Sequence, residues 1–89
     1  PSLPDIAYKV KQAADNPDSG SQHLAKLISF DPVLAGRIVQ VANSPMFMGL
    51  EKVDSIATSI ARLGIHCIRN LVTSFALVQI YNYKWLRLK

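Results

Sequence analysis

The stretch Ser29–Phe47 reads SFDPVLAGRIVQVANSPMF. It opens on Asp31-Pro32, a good N-cap followed by a proline that suits the first helical position. It continues through Val33, Leu34, Ala35, Ile38, Val39, Val41 and Ala42, with Arg37 and Gln40 as the polar interruptions, and it stops at Asn43-Ser44-Pro45. A shorter helical pattern, SQHLAKLI (Ser21–Ile28), stands just before it. The pair has the outline of a DNA-reading helix-turn-helix. The chemistry points elsewhere, because a recognition helix must offer polar side chains to base edges and basic ones to phosphates. One Arg and one Gln among aliphatics read almost nothing. Apolar positions nearly all round the helix predict a buried element at the centre of a helical domain.

The flanking sequence extends the same reading. Pro4 and Asp5 suit the start of a first helix, and Ile6, Val10 and Ala13 or Ala14 make its apolar stripe. Asn16-Pro17-Asp18 ends it, and Ser19-Gly20-Ser21 links it to the second helix with Ser21 as cap candidate. Ser44 to Asp54 reads as a loop with Gly49 at a turn. Asp54 or Ser55 caps a fourth helix bearing Ile56, Ile60 and Leu63, and Gly64 fits its C′ position. A fifth helix starts near Ile65 and carries apolar residues on more than one face. No β-alternation persists, so the fold class is all-α, a compact bundle of about five helices. One face of the fifth helix is expected to pack on the Asp31–Asn43 helix. Leu71, Val78 and Tyr81 are then left partly exposed as a candidate interface, covered by a second copy or by other signalling domains or proteins.

Composition sets the outer bounds. Eighty-nine residues make one domain at most, and at this size the core is thin. A hydrophobic share of 49% against 18% charged excludes a disordered chain. The chain opens on Pro1 instead of Met, which points to a piece of a longer protein. No signal-peptide pattern appears, and the charge-free run Asn70–Tyr83 is too short and too polar to span a bilayer. Cys67 is the single cysteine; with no internal disulfide to form, the cytoplasm is favoured and no membrane partner is expected. The net charge of +4 invites a nucleic-acid partner, but Lys84, Arg87 and Lys89 lie in the last six positions, and without them it falls to +1. The domain is therefore read as residues 1–83, with a basic tail at 84–89 and no specific nucleic-acid partner.

Catalytic signals are few. His23 and His66 are far apart in sequence, and neither is followed by Asp. His66 and Cys67 diverge by about 100° on a helix, so they share neither an ion nor a proton readily. The four glycines are scattered and form no phosphate loop. Arg62 and Arg69 flank the Leu63-Gly64 turn, where solvent or helix-end carbonyls are their expected partners. Asn43, at a helix C-terminus, is expected to take a left-handed conformation or to bond the local backbone. Asp31, Asn43 and Gly64 are thus assigned to specifying the fold. No catalytic residue, cofactor site or metal site is assigned.

Three stretches taken in order, LPDIAYKV (Leu3–Val10), DPVLAGRIVQVANSPMF (Asp31–Phe47) and SIATSIARLGIHCIRNLV (Ser55–Val72), resemble the HDOD family of bacterial signalling domains related to HD phosphohydrolases. The resemblance runs from Leu3 to about Val78. It implies an all-helical domain without the metal-binding His-Asp signature of HD enzymes, acting in regulation beside receiver or cyclic-dinucleotide-turnover modules, and it supplies no catalytic residues. The family's domain is substantially longer, so the chain corresponds to its N-terminal helical part. The ending YNYKWLRLK matches nothing in the family pattern. The function expected is a non-catalytic regulatory domain working by protein–protein or interdomain contacts. A basic helical DNA-binding module stands second and a degenerate HD-type phosphohydrolase third.

Overall fold

The computed structural model describes residues 2–47 and 51–88. Five α-helices follow one another: α1 (Leu3–Asp15), α2 (Ser21–Ile28), α3 (Pro32–Ala42), α4 (Ile56–Leu63) and α5 (Ile65–Leu88). A single 3-10 turn, Pro45–Phe47, follows α3. The all-α class expected from the sequence is the class observed. Gly49, read as a turn residue, and Lys89 of the basic ending lie outside the described residues.

Local chemistry accounts for most of the boundaries. Ser2 caps α1, its Oγ accepting from the Asp5 N–H at 3.3 Å, and Asn16 closes the helix with an Asx turn to the Asp18 N–H at 2.9 Å. Asp31 Oδ1 accepts from the N–H groups of Val33 (3.0 Å) and Leu34 (3.2 Å) and so starts α3. Ser55 is the cap of α4, through its Oγ and the Thr58 N–H. Ser21, expected as the cap of α2, is instead its first residue. Gly20 takes the cap position in extended conformation, and its carbonyl accepts from His23 and Leu24. Gly64 ends α4 at φ 90°, ψ 154°, which only glycine adopts without strain. There the chain bends by 111° into α5.

The helices bury one stripe each. Ile6 and Val10 of α1, Leu24 and Ile28 of α2, Leu34 and Ile38 of α3, Ile60 of α4, and Ile68 and Val72 of α5 meet in one core. Among the described residues Ser59 is the buried polar one, and its hydroxyl donates to the Ser55 carbonyl at 2.7 Å, so nothing is left unpaired there.

Two expectations about packing are corrected. α3 is not buried all round: Leu34, Ile38 and Ala42 face the core, whereas Val33 is 66% exposed and Arg37 and Gln40 reach the surface. α5 packs chiefly along α1, and only lightly on α3. The two helices run antiparallel, since Arg69 meets Asp15 at 2.7 Å near one end while Leu3 shares a cleft with Phe75 and Gln79 near the other. One cause explains both corrections. The bend at Gly64 swings α5 onto α1, so α3 is left covered on one side by α2 and α4 and open on the other. α5 runs unbroken to Leu88, so residues 84–88 of the basic ending are helical.

Candidate functional site

Asn43 does its work through its side chain. Its backbone sits at φ −98°, ψ 7°, so of the two alternatives expected of it the left-handed conformation is absent. The Asn43 amide instead forms a two-bond clamp across the loop: Nδ2 donates to the Val53 carbonyl at 2.7 Å, and Oδ1 accepts from the Val53 N–H at 2.8 Å. Val53 is buried beneath it. A carboxamide suits this task because it carries a donor and an acceptor side by side, matching a backbone peptide edge.

Arg62 completes the clamp. From α4 its Nη1 donates to the Ala42 carbonyl at 3.1 Å, and its Nη2 donates to the Glu51 carbonyl. One guanidinium thus ties the end of α3 to the chain entering α4. This is the helix-end carbonyl bonding foreseen for an arginine near Gly64. Its partner is the end of α3, not of its own helix. Arg69 pairs with Asp15 across α5 and α1. Asn43 and Arg62 are brought together, and both are occupied by backbone groups; neither is turned toward a ligand.

The residues that carry metal or nucleophile chemistry elsewhere are not assembled. His23 is exposed on α2, His66 is exposed in the first turn of α5, and Cys67 is half-buried beside it. Among the described residues, no group of three or more His, Cys, Asp or Glu side chains converges.

Two apolar features of the described surface lie on α5 or against it. The first lies on α5. Positions 66, 70, 74, 77 and 81 follow at spacings of three and four, and so share one face, directed away from the Ile68–Val72–Ala76 stripe that meets the core. That outward face is polar in its first half (His66, Asn70, Ser74) and apolar in its second. Leu77 is 61%, Val78 55% and Tyr81 67% exposed. Every residue from Leu77 to Lys84 is exposed, so the last turns of α5 lack cover from the body. Of the three residues read as a candidate interface, Val78 and Tyr81 lie here; Leu71 is half-buried nearer the core.

The second feature is a cleft between α3 and α5. Arg37 and Phe75 form its centre, with the guanidinium carbon 5.7 Å from the ring centroid, a cation–π geometry. On one side of them Leu3, Asp31, Val33 and Gln79 line the cleft, and on the other Gln40, Val41 and Ser44. Sequence reasoning missed this cleft, because Arg37 reads as a mere interruption of an apolar run. The signal was the pair Val33 and Val41, four residues before and after Arg37 and therefore on its face of the helix.

The HDOD domain model matches residues 1–88. The chain belongs to the HDOD family. Two solved structures are similar to this HDOD chain. One bears the name "Putative metal-dependent phosphohydrolase" and comes from Shewanella amazonensis SB2B: it is 31% identical with a TM-score of 0.79, over 91% of this chain and 29% of that one. The other is the MmoQ response regulator from Methylococcus capsulatus strain Bath, 31% identical with a TM-score of 0.66, over 84% of this chain and 31% of that one. The HDOD chain thus spans under a third of the length of either. No curated protein matches it. Membership and these neighbours fit a signalling domain. Among the described residues no single helix is long and apolar enough to cross a membrane.

Proposed function

We propose that this HDOD chain is a non-catalytic regulatory module, transmitting signals by contact with other domains or proteins in the cytoplasm. The observation that carries the reading is the outward face of α5, polar over its first half and apolar over Leu77, Val78 and Tyr81. Contiguous exposed apolar surface is uncommon on stable monomers and marks interaction sites. The response-regulator neighbour supports the signalling part of this reading. Light scattering over a dilution series tests it. The expected result is concentration-dependent association that Val78→Glu shifts toward monomer. A chain that stays monomeric at high concentration and binds no hydrophobic dye would refute the reading.

Metal-dependent phosphoester hydrolysis is the second reading, suggested by the name of the Shewanella neighbour. A hydrolytic metal site needs several ligands converging on one ion; the two histidines of this chain stand on α2 and α5, and among the described residues no three His, Cys, Asp or Glu side chains converge. The expected outcome of metal analysis and turnover assays on cyclic dinucleotides is neither bound metal nor turnover. A stoichiometric transition metal with turnover abolished by His66→Ala would establish the enzyme reading instead.

A further inference from the structure

We propose that the α3–α5 cleft is a docking groove for an amphipathic helix of a partner protein carrying a carboxylate between two apolar residues. The first ground is a mismatch between composition and burial. α3 is apolar nearly all round, yet it buries only the stripe Leu34, Ile38 and Ala42. A second stripe, Val33, Arg37 and Val41, runs alongside it at four-residue spacing and borders the cleft. Val33 is 66% exposed, Val41 is half-buried, and Phe75 is half-buried with the Arg37 guanidinium over its ring. A helix laid in the groove would cover both valines.

The second ground is charge. Arg37 stands at the centre of the groove, stacked over the face of Phe75. Among the described residues the single salt bridge is Arg69–Asp15, so the Arg37 guanidinium keeps its donors for an incoming acid. The other polar lining groups beside it, Gln40, Ser44 and Gln79, are neutral. The acid of the chain that borders the groove, Asp31, lies at one end with Oδ1 engaged by the α3 N-terminus. A partner carboxylate is therefore attracted at the middle and repelled at that end. Since α3 presents Val, Arg and Val at i, i+4 and i+8, the matching occupant presents an apolar residue, Glu or Asp, and an apolar residue at the same spacing. The α5 outward face is a different surface, with no acid or base between its apolar residues, and the groove proposal stands or falls without it.

The experiment uses the chain itself and a defined probe: an alanine-based, stapled helical peptide of about four turns, with Leu, Glu and Leu spaced by four on one face, beside a twin carrying Lys for Glu. Binding is read by fluorescence anisotropy and by methyl NMR. The Glu peptide is expected to shift the methyl signals of Val33 and Val41 and to bind about five- to tenfold tighter than the Lys peptide, the range for a partly exposed charge pair against a repulsive one. In Arg37→Glu the preference should reverse. Lys26→Glu, the same charge change on the exposed face of α2, should leave it as in the parent. Equal binding of the two peptides, unmoved Val33 and Val41 signals, or reversal by Lys26→Glu as well would each overturn the groove.

Discussion

The side chain of Asn43 stabilises the fold by satisfying both backbone groups of a buried residue. Replacing it with Val removes two hydrogen bonds and strands the Val53 N–H and carbonyl, at about 1–3 kcal/mol for buried polar groups left unpaired. Asn43→Val is therefore expected to lower stability by about 2–3 kcal/mol in denaturant melts. Asn43→Asp keeps the acceptor for the Val53 N–H but loses the donor, and should fall between Val and the parent. A melt for Asn43→Val coincident with that of the parent would show that the clamp is dispensable. The glycines make a second contrast. A Cβ at Gly64 or at Gly36 meets nothing within 4 Å, so sterics with neighbours decide neither case. Backbone conformation does. Gly64 sits at φ 90°, so Gly64→Ala should cost about 1–3 kcal/mol. Gly36 is in the interior of α3, where Ala is favoured over Gly by about 0.5–1 kcal/mol, so Gly36→Ala should raise the midpoint. Matching signs for the two variants would contradict this account.

At the scale of the helices, much was legible, and the two misses in packing share one origin. Most caps and stops are readable because they are local: Asp31-Pro32, Gly64 and, as one of two candidates, Ser55 act on their own backbone within a few residues, whereas the cap of α2 is Gly20 and not Ser21. The class and the number of helices followed from the same punctuation. The partner of α5 was not legible, because the angle at Gly64 is a tertiary quantity: an apolar helix declares that it needs cover but not which neighbour gives it. For the same reason α3 was read as buried on every side. Of the candidate site, the exposed part of α5 was foreseen at Val78 and Tyr81, while the Arg37–Phe75 cleft was not, since Phe75 is distant from Arg37 in sequence. The Val53 end of the Asn43 clamp was also hidden, as nothing in a ten-residue separation marks that pair. The exposed end of α5 makes its own prediction. Short helices without packing are marginal in water, so amides beyond Tyr81 should exchange with solvent far faster than those of Ile68–Ala76 in dilute protein. Association through this face should slow them. Uniform protection along α5 at low concentration would mean that its last turns are held by something other than an interface.

The charge distribution of the whole molecule decides how it meets nucleic acid. The net charge is +4, but Lys84, Arg87 and Lys89 supply three of those charges from the last six positions of the chain. The α2–α3 pair has helix-turn-helix outline, and the open side of α3 carries Arg37 and Gln40 among valines. Arg37 is drawn over Phe75, and α5 lies beside it, so α3 does not project as a free helix that could enter a major groove. We expect phosphate attraction to reside in the end of the chain, and such contacts carry no sequence information. Binding to duplex DNA should accordingly be weak and indifferent to sequence. Its affinity should fall steeply with salt, because each phosphate contact made by Lys or Arg releases a condensed counterion. Replacing Lys84, Arg87 and Lys89 together with Gln should remove most of it while leaving the helical fold, since these positions lie beyond Ala76, the last core residue of α5 among the described residues. The measurement is an anisotropy titration of parent and triple variant at two salt concentrations, with random and fixed duplexes. Sequence-selective binding that survives the triple replacement would place the contact on α3 and turn the functional reading toward DNA.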